Sequence, residues 1–385
     1  MTTHSLHRVA QVEEVADAIR TAAEHQTPLR FRGTGTWMHG GGPFAEATVL
    51  DLSGLSHVIE YIPGDLVITV GAGMPLSTLR AITAEHGQMF ALDPYGDATG
   101  SIGACVATAS AAPLAPSDLQ MRDLVLGIEA VLGTGEITRA GGRVVKNVAG
   151  FDLVRLHTGA WGTLGALTTV SLRLHARPAI DVAVTGTAPI AVDDPAFSTW
   201  LDPIVANRAP LPMLVVIAPN AQPRLVARVS GNHARVAALM MRVQAFGVGP
   251  LQEHAIEATL ETVRRTTPDV AMLRLRASLR DAARFVHHVR RTLPDATLLY
   301  DPARGALRVL TRHDATEALA SVMATGGASY IRGVIDQGRR TVPAPSALEG
   351  QIKRALDPSD LCNRLMHHVT LPQDYARAIS EPGAV

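Results

Sequence analysis

Apolar positions recur along this chain with two different periods, and the period predicts the element. From Val12 to Ala22 they recur every three or four residues with Glu, Asp and Arg opposite, which predicts an amphipathic helix. A second helix is predicted over 76–86, after Pro75. Short apolar or alternating runs predict strands at 29–32, 48–52, 58–62, 67–70, 125–132 and 136–139, and in the stretch ending at Leu174. The first half is therefore predicted to mix helices with several strands.

The second half has its own series of elements. A strand is predicted at 180–185, prolines between 189 and 212 indicate turns, and the rest alternates between strands and helices. The series continues with strands at 213–218 and 225–230, a helix at 234–246, a strand at 270–276, a helix at 279–291, strands at 297–300 and 307–310, a helix at 315–325 and a strand at 330–334. From residue 270 onward the order is β-α-β-β-α-β, which predicts a ferredoxin-like unit.

A turn rich in Gly and Thr follows the strand at 29–32. Gly33 and Gly35 permit positive φ, so successive backbone N–H groups can converge on one point, and Arg32 adds a positive charge. This pattern indicates a binding turn for a pyrophosphate. No Gly-Lys-Ser/Thr follows, so it is not a P-loop, and Gly40-Gly41-Gly42-Pro43 cannot open the long helix of a Rossmann motif. A Gly-rich surface turn is the alternative.

Residues 93–109 carry almost only small side chains. Such a run lets the backbone approach a large flat group at van der Waals distance, and with the upstream turn it favours a flat ligand. A packing seam between helices is the other interpretation. Cys105 lies in this run, either near such a ligand or as a small buried residue.

Composition and charge narrow the class of protein. The 385 residues suggest two or three domains, and equal numbers of acidic and basic residues (35 each) give no basic field for nucleic acid. No apolar run reaches membrane-spanning length, and no secretory leader is recognisable. The two cysteines are too few for an iron–sulfur cluster and fit a reducing, cytoplasmic compartment. We predict no metal site, because His367-His368 have no visible partners.

Two further motifs, read together with the Gly-Thr turn and the small-residue run, point to a particular protein family. Gly-Gly-Arg-Val-Val-Lys-Asn-Val-Ala-Gly-Phe-Asp-Leu occupies 141–153, and Gly-Thr-Leu-Gly-Ala-Leu-Thr occupies 162–168. In this order, after the Gly-Thr turn and the small-residue run, they resemble the FAD-binding domain of the vanillyl-alcohol-oxidase-type flavoproteins (PCMH-type fold). Within that family the resemblance is to the smaller flavin-domain subunits of bacterial glycolate oxidases. It covers 1–177 and, in part, the extreme C-terminus.

The resemblance implies an α+β fold. It consists of a PCMH-type FAD-binding domain of two α/β subdomains (1–177), a ferredoxin-like cap domain (178–345) and a C-terminal segment returning to the flavin domain (346–385). The residues implied to bind FAD are Arg32, Gly33, Thr34, Gly35, Thr36, Asp97, Ser101, Ile102, Gly103, Ala104, Gly162, Thr163, Gly165 and Leu167. Thr36 stands where relatives with covalent FAD carry His, so noncovalent FAD is expected; His39 would require a rearranged loop.

No catalytic residue is predicted. The His-x-Gly-Asp-Gly-Asn run of the related catalytic subunit is missing from this sequence. The cap offers His254, His287, His288 and His313 as bases, and Arg332, Arg339 and Arg340 for a carboxylate, but solvated helix faces explain the histidines equally well. Asn147 and Asp152 are predicted to hold their loop rather than to react.

Three functional hypotheses follow. The first is an FAD-binding subunit of a glycolate-oxidase-type 2-hydroxy-acid dehydrogenase, working with a catalytic FAD subunit and an iron–sulfur subunit and reaching the inner face of the membrane only through them. The second is a self-sufficient FAD oxidoreductase acting on another small alcohol or hydroxy acid. The third is an assembly subunit that uses the flavin fold only as a scaffold.

Overall fold

The computed structural model divides the chain into two compact units. The first contains residues 1–110, 120–176 and 336–385, and the second contains 111–119 and 177–335. The structure describes residues 6–38, 47–94, 99–112, 114–116, 119–142, 152–206, 211–264, 270–276, 282–312, 318, 321–322, 328–332 and 347–363. The chain therefore enters the second unit briefly at 111 and returns to the first at 120. The domain boundaries predicted at 177 and 345 stay predictions.

The first subdomain of the first unit is a small parallel sheet covered by a helix. Its elements are β1 (Leu6–Arg8), α1 (Val12–Glu24), β2 (Leu29–Arg32) and β3 (Thr48–Asp51), with the strands in the order β1-β3-β2. The Glu14 carboxylate starts α1 by accepting hydrogen bonds from the N–H groups of Ala10 (2.7 Å) and Gln11 (3.2 Å). The apolar stripe of α1 is buried, as its period predicts, and β2 lies at one edge of this sheet.

The second subdomain is an antiparallel sheet with short helices. Its elements are β4 (Val58–Ile62), β5 (Val67–Gly71), α2 (Leu76–Ala84), β6 (Gln88–Met89), α3 (Ile102–Ala107), α4 (Met121–Leu124), β7 (Val125–Leu132), β8 (Ile137–Gly141), α5 (Leu153–His157), β9 (Gly165–Arg173) and β10 (His175–Ala176). The described strands run in the order β4-β5-β9-β7-β8, with β6 and β10 forming a separate ribbon. The small-residue run contains α3, which the Ser101 hydroxyl caps by accepting from Ala104 N–H.

The second unit is built on one sheet of eight described strands. Its elements are β11 (Ile180–Thr187), α6 (Phe197–Ala206), β12 (Met213–Ile217), β13 (Arg224–Gly231), α7 (His233–Gln244), β14 (Gln252–Ala255), α8 (Ile256–Arg264), β15 (Val270–Arg276), α9 (Ala282–Thr292), β16 (Thr297–Asp301), β17 (Ala306–Arg312) and β18 (Ala328–Arg332). The strand order is β14-β11-β13-β12-β16-β17-β15-β18.

This order contains the ferredoxin-like pattern twice. In each half, the four strands numbered along the chain lie in the spatial order 4-1-3-2, and the halves join where β12 pairs with β16. The strand order of the ferredoxin-like unit predicted from residue 270 is confirmed, whereas most of its helix predicted at 315–325 lies outside the described residues. The first repeat was not predicted, because the proline-rich stretch that indicated turns contains α6. Pro203 lies inside that helix, and burial of Phe197, Trp200 and Ile204 outweighs its cost.

The stretch 111–119 packs within the second unit although it interrupts the sequence of the first. Leu114 adopts a φ of 68° and is 1% exposed, in a cluster with Leu214 and Leu299. The Arg304 guanidinium donates to the carbonyl oxygens of Ala115 (3.1 Å) and Pro116 (2.7 Å). These bonds hold Ala115 and Pro116 within the second unit.

The last described element, α10 (Ala347–Leu356), belongs to the first unit. After it the chain runs beside β2, where Leu29 forms a parallel bridge with Cys362. This contact brings the C-terminal segment next to the strand that precedes the Gly-Thr turn.

Candidate cofactor site

A cleft lies within the first unit, beside β2 and the Gly-Thr turn. Its lining comes from β2 and the residues after it, from α3, from the turn before β9 and from the C-terminal segment. The lining residues are Arg30, Phe31, Arg32, Gly33, Gly35, Thr36, Trp37, Met38, Leu52, Ala72, Ser101, Gly103, Ala104, Ala107, Thr108, Trp161, Gly162, Gly165, Leu167 and Asn363.

The Gly-Thr turn, residues 33–36, requires its glycines for two different reasons. Gly35 has a φ of 88°, and a Cβ there would lie 3.1 Å from Nε of Arg32. Gly33 lies against the N-cap of α3, because a Cβ there would lie 2.0 Å from Oγ of Ser101. Gly35 is therefore favoured by its positive φ, whereas Gly33 is needed because the turn approaches α3 too closely for a side chain.

Two arginines on β2 make this end of the cleft cationic. Arg30 and Arg32 are two residues apart on a strand, so both project to the same face. Burial lowers the pKa of Arg30 to about 10, which leaves it protonated at neutral pH, and its guanidinium donates to the Met38 carbonyl oxygen (3.3 Å). Nε of Arg32 and Oγ1 of Thr34 are buried without a hydrogen-bond partner.

Buried donors without acceptors are costly, so their presence beside a backbone turn indicates an anionic ligand. A pyrophosphate has the charge and the acceptor oxygens that these two side-chain donors need. The residues present therefore fit the phosphate part of FAD.

The wall formed by α3 and the start of β9 consists of small residues, and two of its glycines are required by packing. A Cβ on Gly103 would lie 2.8 Å from both the Cβ and the carbonyl oxygen of Ala72, and one on Gly165 would lie 2.3 Å from the carbonyl oxygen of Val131. The wall is thus a packing seam and a cleft surface together. Leucine at either position would disrupt the fold itself, so enlarging these glycines cannot measure contact with a cofactor.

Most of the predicted site residues meet at this cleft. Its lining includes Arg32, Gly33, Gly35, Thr36, Ser101, Gly103, Ala104, Gly162, Gly165 and Leu167. Three others are placed differently: Thr34 lies in the turn with a buried hydroxyl, Ile102 is fully buried in the core, and the Thr163 hydroxyl donates to the Ala160 carbonyl oxygen (2.6 Å). Asp97 lies outside the described residues.

Several lining residues were not predicted. Arg30 had a signal, because its two-residue spacing from Arg32 on a strand places both on one face. Trp37 follows the Gly-Thr turn directly, and its ring meets that of Trp161 edge-on at 5.8 Å between centroids. Asn363 was not named as a site residue, although the C-terminal segment that carries it was expected to return to the flavin domain.

Several other described candidate residues make contacts that explain them without a catalytic role. Cys105 is fully buried outside the cleft lining, and burial raises the pKa of its thiol to about 12, so it is a small buried residue. His254 hydrogen-bonds Thr185 (2.9 Å), and the ring of His287 lies against Phe197. Asp152 caps α5 by accepting from Arg155 N–H (3.0 Å). Other named candidates lie outside the described residues, namely His39, Asn147, His313, Arg339, Arg340 and His367-His368.

Two kinds of feature, metal-binding clusters and membrane-spanning helices, are missing from the described part of the chain. Its side chains include no group of three or more His, Cys, Asp or Glu residues placed to hold a metal ion. None of its helices combines the length and apolar character needed to cross a bilayer.

The fold and this cleft define a class of protein. Residues 5–141 match the model of the FAD binding domain family. The chain also superposes on p-cresol methylhydroxylase with a TM-score of 0.72 at 16% identity, covering 96% of this chain and 89% of that one, which shows the fold. The chain carries a PCMH-type FAD-binding domain, and the resemblance drawn from its motifs is confirmed. Its cofactor is FAD.

The relatives include a protein of the subgroup that the motifs indicated. Glycolate oxidase subunit GlcE of Escherichia coli (strain K12) is 37% identical over 168 residues, which are 43% of this chain and 47% of that protein. D-lactate dehydrogenase of Archaeoglobus fulgidus is 35% identical over 163 residues, 42% of this chain and 36% of that enzyme. The matches therefore span less than half the length of these relatives.

Proposed function

We propose that this protein is the FAD-binding subunit of a glycolate-oxidase-type 2-hydroxy-acid dehydrogenase that holds FAD noncovalently. The observation that carries the proposal is the cleft beside β2, where unsatisfied donors on Arg32 and Thr34 meet the backbone turn. The similarity to a protein named as a glycolate oxidase subunit supports the choice of subgroup.

The residues of the cleft have separate tasks in this proposal. Arg30, Arg32 and the N–H groups of residues 33–36 bind the pyrophosphate, and the small residues of α3 leave room for the flat part of the cofactor. When bound, FAD supplies a hydride acceptor for oxidation of an alcohol carbon. Thr36 has no nucleophilic ring nitrogen, which is consistent with noncovalent attachment.

The electrons of a reduced flavin need an acceptor, and we assign that role to partner subunits. The two cysteines of this sequence are both buried, and neither is available as a ligand at the surface. A catalytic FAD subunit would contribute substrate oxidation, and an iron–sulfur subunit would contribute onward electron transfer. The GlcE relative is named as a subunit of glycolate oxidase, which supports an assembly of this kind.

Reconstitution tests the proposal. We expect the isolated protein to bind FAD, with absorbance near 450 nm, to release it on acid precipitation and to show negligible glycolate-dependent dye reduction. Activity should appear on co-expression with a catalytic FAD subunit and an iron–sulfur subunit of the same complex. Glycolate oxidation by the lone chain at an ordinary enzymatic rate of about 1–1,000 per second would contradict this assignment.

The similarity to D-lactate dehydrogenase supports the alternative of a self-sufficient FAD oxidoreductase. Turnover of a small hydroxy acid by the isolated chain would favour it. A protein that folds but takes up no FAD would instead act only as an assembly scaffold.

A further inference from the structure

The C-terminal segment extends the sheet that carries the Gly-Thr turn. The N–H of Leu29 donates to the carbonyl oxygen of Leu361 (2.9 Å), and the N–H of Asn363 donates to the carbonyl oxygen of Leu29 (3.0 Å). Residues 361–363 therefore lie along the edge of β2, the strand that leads directly into the turn. This pairing brings Asn363 into the lining of the cleft.

The side-chain amide of Asn363 joins two walls of the cleft. Its Oδ1 accepts a hydrogen bond from the N–H of Phe31 on β2 (3.0 Å), and its Nδ2 donates to the carbonyl oxygen of Trp161 (2.6 Å). Asn363 is 6% exposed, so both bonds are shielded from water. An amide satisfies both sites at once because it carries a donor and an acceptor on one carbon.

The local backbone is arranged around this amide. Trp161 and Gly162 have φ of 56° and 70°, and a Cβ on Gly162 would lie 2.7 Å from Nδ2 of Asn363. Asn363 itself has a φ of 43°, which Asn tolerates better than most residues. The turn before β9 can therefore approach the amide only with glycine at position 162.

Lys353 also holds the C-terminal segment in place, through contacts outside the cleft lining. Nζ of Lys353 on α10 donates to the carbonyl oxygens of Thr163 (2.7 Å) and Cys362 (3.1 Å) and pairs with the Asp357 carboxylate. Asp357 is 1% exposed and accepts from the N–H groups of Leu361 (3.1 Å) and Cys362 (2.8 Å). The position of Asn363 is thus set by a buried network outside the cleft lining.

We infer that Asn363 is a cofactor-positioning residue: its amide holds the 161–165 turn against β2 at the separation that FAD requires. Docking of the C-terminal segment and binding of FAD then stabilise each other, since coupling between two events is reciprocal. This inference rests on the proposed FAD site.

The first test compares two Asn→Asp substitutions. Asn363→Asp keeps the shape and the acceptor for Phe31 but loses the donor and places a negative oxygen against the Trp161 carbonyl. We expect the Kd for FAD, measured by titrating apo-protein, to rise at least fivefold. Asn232→Asp is the matched control, because Asn232 caps α7 by accepting from Arg235 N–H (2.9 Å) and Asp caps equally well. It should leave the Kd unchanged.

Hydrogen exchange of the unaltered protein provides a second test that does not depend on a variant folding. FAD should slow exchange of the amides at 361–363 at least fivefold more than it slows those of β4, which contributes nothing to the cleft lining. Exchange that slows equally in both places overturns the inference, as does a Kd for Asn363→Asp less than fivefold above that of the unaltered protein. Unaltered apo-protein that takes up no FAD would overturn the proposed function instead.

Discussion

Arg228 in the second unit and Arg32 in the first are satisfied differently. In the second unit, Arg228 donates two hydrogen bonds to Asp181 (2.8 and 2.6 Å), and Arg304 pairs with Asp301 (3.1 Å). In the first unit, Nε of Arg32 is buried in the cleft wall without a hydrogen-bond partner. Removing one partner of a buried ion pair destabilises the fold, whereas an unsatisfied donor in the wall of a cleft is available to a ligand.

Exchanging one arginine in each unit tests this comparison most directly. Arg228→Leu leaves the Asp181 carboxylate without its partner, so we expect the free energy of unfolding to fall by about 3–5 kcal/mol with FAD affinity unchanged. Arg32→Leu should weaken FAD binding about 10- to 100-fold, the effect of losing charged hydrogen bonds, with little loss of apo-protein stability. Denaturant unfolding and FAD titration measure both. Equal effects of the two substitutions on FAD affinity would contradict the distinction between an arginine paired within the fold and one available to a ligand.

Gly35→Val should yield folded protein that purifies without flavin. The side chain would press on the Arg32 guanidinium and block the convergence of backbone N–H groups, so we expect FAD affinity to fall at least 200-fold, about 3 kcal/mol. Gly87→Val is the control, since Gly87 also has positive φ (65°) but nothing within 4 Å of an added Cβ. Both substitutions should lower the free energy of unfolding by a similar amount, about 1–2 kcal/mol, because each strains a left-handed backbone. Full flavin content in Gly35→Val would contradict the phosphate assignment.

Acid should destabilise the protein through His157. This residue is 3% exposed, and burial lowers its pKa to about 4 from an ordinary 6.5. The unfolded chain therefore takes up a proton first as pH falls, so the stability contributed by neutral His157 is complete above pH 6.5 and is lost toward pH 4. The loss between pH 7 and pH 5 should be about 2 kcal/mol. Urea unfolding at both pH values checks it, and His157→Phe should remove most of the difference.

Thr34→Val should have the smallest effect, which we expect in FAD binding and not in the stability of the apo-protein. Oγ1 of Thr34 is buried without a partner, so removing it should not destabilise apo-protein, yet FAD affinity should fall about fivefold, roughly 1 kcal/mol. Thr168→Val is the matched control, because its hydroxyl donates to the Glu129 backbone carbonyl (3.1 Å) and hydrogen-bonds the Glu129 carboxylate. That variant should lose stability and keep its FAD affinity. Unchanged FAD affinity in Thr34→Val would show that this hydroxyl does not contact FAD.

The elements that were predicted well depend on neighbouring residues. The apolar stripe of α1, the strands of the five-stranded sheet and the ferredoxin-like order after residue 270 all follow from short periods in the sequence. The prediction failed at α6, where Pro203 is a local signal for a turn but the buried faces of Phe197 and Trp200 decide the conformation. Packing against a sheet outweighs a local preference, and only the fold provides that sheet.

The sequence by itself determined the class of this protein, because the Gly-Thr turn and the motifs at 141–153 and 162–168 are local and specific. Only the tertiary structure decided how the cleft is completed. It showed that Gly103 and Gly165 are required by packing against Ala72 and Val131 and that Arg32 has an unsatisfied donor. It also showed that Asn363, 332 residues after Phe31, hydrogen-bonds Phe31 at the cleft. Such facts depend on groups far apart in sequence, whose distances are set when the whole unit folds.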